Sequence, residues 1–125
     1  HYDAGVKAAM QMLSAIYPNA AAISDAEVAT YLAAKPYDAT KGWEMISEQY
    51  WAATLLNEYE AFSNWRRTGF PTLVPTNDPG NVTNGTIPRR LIYPTGESST
   101  NKANYDAALA RQGPNDFVTR VWWDK

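Results

Sequence analysis

The chain has 125 residues, a mass of 13.9 kDa and a formal charge of −2, and a chain of this length supports a single domain-sized core. Its 45% hydrophobic and 19% charged residues exclude a disordered or collagen-like chain. The near balance of charge argues against nucleic-acid binding by bulk electrostatics. There is no Cys, and the single His is residue 1, so a thiolate nucleophile, a Ser-His-Asp triad and a histidine metal site all lack a required group. We expect no cofactor and no metal.

The first third of the chain predicts two helices. Apolar residues recur at the helical period from Tyr2 to Tyr17, and Pro18 ends the pattern, which predicts a helix over 2–17. Ser24 and Glu27 then match the capping box, in which each side chain accepts from the other residue's amide. A short helix over 25–34 is therefore expected.

The next segment carries most of the aromatic residues at helical spacing. Trp43, Ile46 and Tyr50 repeat at steps of three and four within a helix expected over 41–56. Asn57 interrupts this pattern, and a second pattern runs from Tyr59 through Phe62 to Trp65. Gly69 follows and suits the left-handed backbone conformation that often ends a helix. Two helices or one kinked helix fit equally. On this periodicity we expect three tryptophans to be buried packing residues rather than a sugar platform, namely Trp43, Trp51 and Trp65.

The second half of the chain is rich in loops. Pro71, Pro75, Pro79 and Pro88 punctuate a stretch of Thr, Asn and Gly. A small β-hairpin is one interpretation, with strands near Thr72–Val74 and Arg90–Tyr93. A last helix is expected over 101–112, closed by Gly113-Pro114 and followed by an irregular or extended tail from Asp116 to Asp124.

Two groups of charged residues invite functional interpretations that we judge weaker than structural ones. Glu44 and Glu48 lie one turn apart, and Glu58 and Glu60 follow, so a glycosidase-like carboxylate pair is conceivable, although helices carry such solvated pairs routinely. The pairs Arg66-Arg67 and Arg89-Arg90, near Trp65 and Tyr93, could line a site for single-stranded nucleic acid. The negative net charge favours structural stacking or carboxylate pairing instead.

Several segments together resemble the C-terminal signature of the SusD/RagB family. They are Trp65–Pro71 (WRRTGFP), Ile87–Glu97 (IPRRLIYPTGE), Asn104–Ala108 and the segment from Gly113 to Trp122-Trp123-Asp124. Tyr2–Val6 resembles the family's Tyr-x-x-Gly-Ile helix start, and Ile46–Trp51 resembles its helix before the arginine pair. Tyr50 stands where a Lys is common in the family, and Tyr59–Phe62 only loosely replaces its Glu-Ala-Trp arrangement.

The resemblance implies a fold, a function and a location. The expected fold is mainly α, a helical SusD-like fold of which residues 1–125 form the C-terminal part, with 1–69 helical and 70–125 loop-rich with one further helix. SusD-like proteins are non-catalytic surface lipoproteins of the outer membrane with tetratricopeptide-type helix pairs. They bind a nutrient, commonly a glycan, as partners of a SusC-like TonB-dependent transporter. The chain is then expected to require the N-terminal remainder of the same protein, which would also carry the lipid anchor.

The ligand is expected to be a glycan, with a peptide as the alternative. Residues 1–125 are expected to serve either as scaffold or as part of the binding site. Direct contacts, if any, are expected in the exposed loop Thr76–Thr86, whose Asn and Thr side chains can bond sugar hydroxyls. The candidates there are Asn77, Asn81 and Asn84. A second group is expected to be structural, with Glu97 bound among the arginines and the Trp pair covering the helices. That group comprises Trp65, Arg66, Arg67, Arg89, Arg90, Tyr93, Pro94, Glu97, Trp122 and Trp123.

Overall fold

The computed structural model describes all residues from His1 to Lys125 and contains helices and no β-strand. The helices are α1 (Tyr2–Ile16), α2 (Asp25–Ala34), α3 (Gly42–Ala53), α4 (Glu58–Thr68), α5 (Glu97–Thr100) and α6 (Lys102–Gln112), with one 3-10 turn at Ala39–Lys41. They fall into two compact units, His1–Trp65 and Arg66–Lys125. The mainly helical fold expected from the sequence is confirmed.

In the first unit, α1 contacts both α2 and α3. The predicted capping box begins α2, because the Ser24 hydroxyl accepts from the Glu27 amide at 3.3 Å while a Glu27 carboxylate oxygen accepts from the Ser24 amide at 2.8 Å. Gln11 of α1 donates to the Ile23 carbonyl at 3.1 Å, which ties the two helices together just before the cap. Val6 and Val28 are the buried side chains of α1 and α2.

Two separate helices, rather than one kinked helix, follow. α3 ends in a turn in which the Asn57 amide donates to the Thr54 carbonyl at 2.8 Å. Asn57 then begins α4, since its side-chain oxygen accepts from the Glu60 amide at 3.3 Å and its carbonyl accepts from Ala61. Asn57 is the residue that interrupts the apolar pattern in the sequence. Its side-chain oxygen takes a backbone donor that would otherwise bond within a continuous helix, so the chain forms two helices here.

In the second unit, glycines in the left-handed region follow both long helices. Gly69 has a φ of +79° after α4, and Gly113 has a φ of +85° after α6. One further turn of helix, α5, precedes α6, and the sequence analysis did not predict it. The predicted helix over 101–112 is confirmed as Lys102–Gln112.

The β-hairpin interpretation is wrong. The amides of Arg89 and Arg90 donate to the Phe117 carbonyl, at 2.6 and 3.4 Å, and the Tyr93 amide donates to the side chain of Asn115 at 2.8 Å. The segment expected to pair with Thr72–Val74 is therefore held by the tail. The prolines on both sides of the loop lack the backbone N–H that strand pairing requires. The remaining amides bond single carbonyls and side chains of the tail instead.

Few large side chains are buried within this chain, and none of its helices has the length and hydropathy needed to cross a membrane. The buried apolar residues are Val6, Val28, Ala61 and Trp65. Large apolar side chains remain exposed in both units, on α1 and α3 as well as around Leu91 and Trp122.

Candidate functional site

A buried carboxylate holds the end of the second unit. The Asp124 side chain has no exposed surface, and its Oδ1 accepts from Arg89 Nη1 at 2.9 Å and lies 3.4 Å from Arg120 Nη1. Arg66, at the end of α4, donates from Nη1 to the Arg89 carbonyl at 2.6 Å, and its own carbonyl accepts from the Lys125 amide at 3.0 Å. We call these four side chains, Arg66, Arg89, Arg120 and Asp124, the Asp124 cluster.

Aromatic rings extend the cluster. The guanidinium of Arg66 lies over the Trp123 ring, 4.4 Å from its centroid. Nearby in sequence, Arg90 lies over Tyr93 at 5.3 Å, and Tyr93 meets Tyr105 of α6 edge to face at 5.9 Å. A planar guanidinium suits both roles, since it stacks on a ring face and donates at its edge.

Electrostatics in the Asp124 cluster are set by burial. Desolvation lowers the pKa of Arg66 from its usual value, the Asp124 carboxylate acts in the opposite direction, and the neighbouring Arg89 adds to the lowering. Three cations around one enclosed anion leave the cluster net positive. Such an arrangement stabilises a structure only while the anion is in place.

The structure corrects the predicted role of Glu97. Its carboxylate accepts from the Asn101 side chain at 2.9 Å, at the start of the α5–α6 segment, and forms no ion pair with an arginine. Asp124 occupies the position that we expected for Glu97. Because Glu97 follows Tyr93 and Pro94 closely in the sequence, we expected it to lie near the arginines. Instead, Glu97 is the first residue of α5.

The five tryptophans have different environments. Trp65 is buried, with 6% of its surface exposed, and stacks on Phe62 at 6.3 Å, as expected. Trp51 is half-buried, whereas Trp43 is 53% exposed, so the expectation of burial fails for Trp43. In the tail, Trp123 is half-buried under Arg66, but Trp122 is 95% exposed and covers no helix. The two residues lie in a turn, in which the Asp124 amide donates to the Val121 carbonyl at 3.0 Å, and this turn gives the two rings different exposure although the sequence analysis assigned both to one role.

The predicted contact residues of loop Thr76–Thr86 do not share one environment. Asn81 is committed to the loop itself, because its Oδ1 accepts from the amide and the hydroxyl of Thr83, at 2.8 and 2.7 Å. Asn77 and Asn84 are exposed, and Asn84 has a φ of +50°. The Thr83 side chain is buried and donates to the Thr86 carbonyl. Asn77 and Asn84 therefore remain the accessible amides of this loop.

Sequence reasoning missed an apolar cleft in the first unit. A cavity of about 470 Å³ opens between α1, α2 and α3 and is lined by Tyr2, Val6, Met10, Tyr31, Ile46 and Tyr50 among others. The Tyr2 hydroxyl is buried without a hydrogen-bond partner, and desolvation is the main cause that raises its pKa. The only signal in the sequence was that apolar residues on α1 and α3 span more than one helix face.

The carboxylates considered for catalysis lie on α3 and α4. No group of three or more His, Cys, Asp or Glu side chains could hold a metal ion. Glu60 accepts from the Tyr50 hydroxyl at 2.8 Å, a contact that ties α4 to α3. None of these four carboxylates lines the apolar cleft of the first unit.

Comparison with known proteins decides the family. Residues 1–94 match the sequence model of a SusD-like family described as "Starch-binding associating with outer membrane". The chain belongs to the SusD-like family. No curated protein matches it.

Solved SusD-like structures share its fold. The chain is similar to a chitin-binding protein, with 42% identity and a TM-score of 0.87 over 99% of this chain and 27% of that one. It is also similar to a SusD-like protein titled Bacteroidetes AC2a, with 34% identity and a TM-score of 0.85 over 99% of this chain and 25% of that one. A SusD homolog from Bacteroides uniformis matches at 31% identity and a TM-score of 0.62 over 73% of this chain and 20% of that one. The chain thus spans about a quarter of the length of the first two relatives.

Proposed function

We propose that the chain is the C-terminal part of a non-catalytic, surface-exposed lipoprotein of the outer membrane that binds a glycan and delivers it to a SusC-like TonB-dependent transporter. The observation that carries the proposal is the likeness, at 42% identity across nearly the whole chain, to a protein named for chitin binding. The family description, which joins starch binding to the outer membrane, supports the same ligand class and location.

Within that protein, we propose that the first unit serves as scaffold for the N-terminal remainder. Its cleft is open and almost wholly apolar, and α1 and α3 expose Leu13, Ile16, Ile46 and Tyr50. A folded protein rarely leaves a contiguous apolar patch of this kind to water, so the surface suits packing against further helices. A peptide ligand is the alternative function, with this chain acting as scaffold alone.

Titration of the full-length protein with maltohexaose, chitohexaose and a hexapeptide of mixed sequence tests the ligand class. Calorimetric binding of an oligosaccharide, with no release of new reducing ends during incubation, is the expected result. Peptide binding without saccharide binding would favour the alternative. Saccharide cleavage would refute the non-catalytic assignment.

The location and the transporter partner need their own test. Protease treatment of intact cells should digest the protein, and affinity purification from detergent-solubilised outer membranes should recover a TonB-dependent transporter with it. A protein that is protected in intact cells and co-purifies with no transporter would refute this part of the proposal.

A further inference from the structure

A second cavity, of about 580 Å³, opens in the second unit where the end of α6 meets the tail. Its lining consists of Arg111, Gln112, Arg120, Val121, Trp122 and Trp123. None of these residues is among those that the sequence predicted to contact a ligand. We call this surface the Trp122 platform.

The platform presents an unusually accessible ring. Trp122 is 95% exposed, the most exposed of the large apolar side chains. An indole is the largest apolar side-chain surface, and leaving it in water is unfavourable unless something covers it. The apolar face of a sugar ring is an occupant of suitable size, since the indole face contacts its C–H groups while the ring hydroxyls point outward.

Hydrogen-bond donors around the ring are available. The side chains of Arg111, Gln112 and Trp122 make no hydrogen bond or ion pair within the chain, so the guanidinium, the amide and the indole N–H can all serve a ligand. Arg120 is half-exposed and contacts Asp124 through Nη1 at 3.4 Å only, which leaves its other nitrogens for a second partner.

Charge selects among possible saccharides. Two guanidinium groups line the platform and no carboxylate does, and the Asp124 side chain, which Arg120 contacts, has no exposed surface. Each guanidinium can bind a carboxylate through two parallel hydrogen bonds. We propose that the Trp122 platform binds an acidic oligosaccharide, with one uronate ring stacked on Trp122 and its carboxylate held by Arg111 and Arg120. This site rests on the proposed glycan-binding function and specifies its ligand.

The test is calorimetric titration of the full-length protein with hexagalacturonate and, in parallel, with neutral maltohexaose and chitohexaose. Hexagalacturonate should bind at least tenfold more tightly than a neutral hexamer, and this preference should fall as salt rises. Trp122→Ala should weaken hexagalacturonate binding at least tenfold, and Arg111→Gln about threefold to tenfold. Tyr59→Ala and Lys102→Gln are matched controls, since Tyr59 is an 83% exposed aromatic on α4 and Lys102 an exposed cation on α6, and both should bind as the wild type does.

Three outcomes overturn the inference. If Trp122→Ala changes the affinity for hexagalacturonate less than twofold, the Trp122 platform is not the binding site. Equal or stronger binding of the neutral hexamers excludes the acidic class. A lowered urea midpoint for Trp122→Ala shows that another part of the full-length protein covers the ring. Failure of the proposed function looks different, because the wild type would then bind none of the three saccharides.

Discussion

Replacing Asp124 tests whether the second unit depends on one buried anion. Asp124→Ala removes the partner of Arg89, whose side chain is only 13% exposed, and leaves that cation enclosed. Breaking a buried ion pair from one side typically costs about 3–5 kcal/mol. Asp124→Asn keeps one acceptor oxygen but replaces a carboxylate by a neutral amide. We expect this change to lower the free energy of unfolding by about 2 kcal/mol.

The matched control is Asp106→Asn. Lys102 and Asp106 form an exposed pair at 2.7 Å, with side chains 69% and 53% exposed, so the same chemical change removes the same kind of contact in water. Exposed helical pairs of this spacing contribute about 0.3–0.5 kcal/mol. The losses of unfolding free energy caused by Asp124→Asn and Asp106→Asn should therefore differ by more than about 1 kcal/mol. A difference of about 1.4 kcal/mol corresponds to a tenfold change in the unfolding equilibrium constant.

Urea unfolding of the full-length protein, followed by tryptophan fluorescence, measures the difference. Because the transition of a large protein need not be two-state, hydrogen exchange of the peptides covering 58–70 and 114–125 provides a local reading. Faster exchange should appear in both peptides for Asp124→Asn and in neither for Asp106→Asn. Equal effects of the two substitutions would refute the claim that enclosure gives Asp124 its importance.

Three further predictions concern single residues. Gly69→Ala should lower the free energy of unfolding by roughly 1–2 kcal/mol because of its φ of +79°, whereas Gly96→Ala, which meets equally open space at an ordinary φ, should have little effect in the same urea assay. Trp65→Ala should cost about 3–5 kcal/mol and the exposed Trp43→Ala less than about 1 kcal/mol, and equal losses would contradict the assigned burial. The amide and hydroxyl of Ser24, the N-cap of α2, donate to the Glu27 carboxylate and hold the pKa of Glu27 below its usual range. The stabilisation that the ionised Glu27 provides is therefore complete above the unfolded pKa of about 4.3 and is lost as pH falls through the lower pKa of the folded state. The stability difference between wild type and Glu27→Gln should accordingly disappear between pH 7 and pH 2, and a difference that persists in acid would refute this.

Local sequence signals predicted the helices well because those signals act over a few residues. The capping box at Ser24 and Glu27, the interruption at Asn57 and the glycines after α4 and α6 all correspond to observed helix ends. Each is a hydrogen bond or a backbone angle that a short segment decides for itself. Nothing distant in the chain had to be known.

Long-range pairings were predicted less well. Periodicity placed Trp43 on an apolar face but could not say whether another element covers that face. Asp124 lies in a segment without periodicity, so no pattern distinguished it from Glu97 as the partner of the arginines. The Trp122 platform was missed for the same reason, because no periodic pattern in the tail indicated that the two neighbouring Trp rings would differ in exposure.

The separation of partners in the Asp124 cluster bears on the order of folding. Arg66 and Arg89 are 23 residues apart and Arg89 and Asp124 are 35 apart, whereas the capping box spans 3. Contacts of high sequence separation form slowly, since the chain entropy of a large loop is lost before any contact compensates for it. Until the tail brings Asp124 into place, the guanidinium groups of Arg66 and Arg89 repel each other. Collapse of the second unit is therefore expected to follow helix formation in the first. A multivalent anion such as sulfate screens that repulsion and should therefore speed refolding of the second unit.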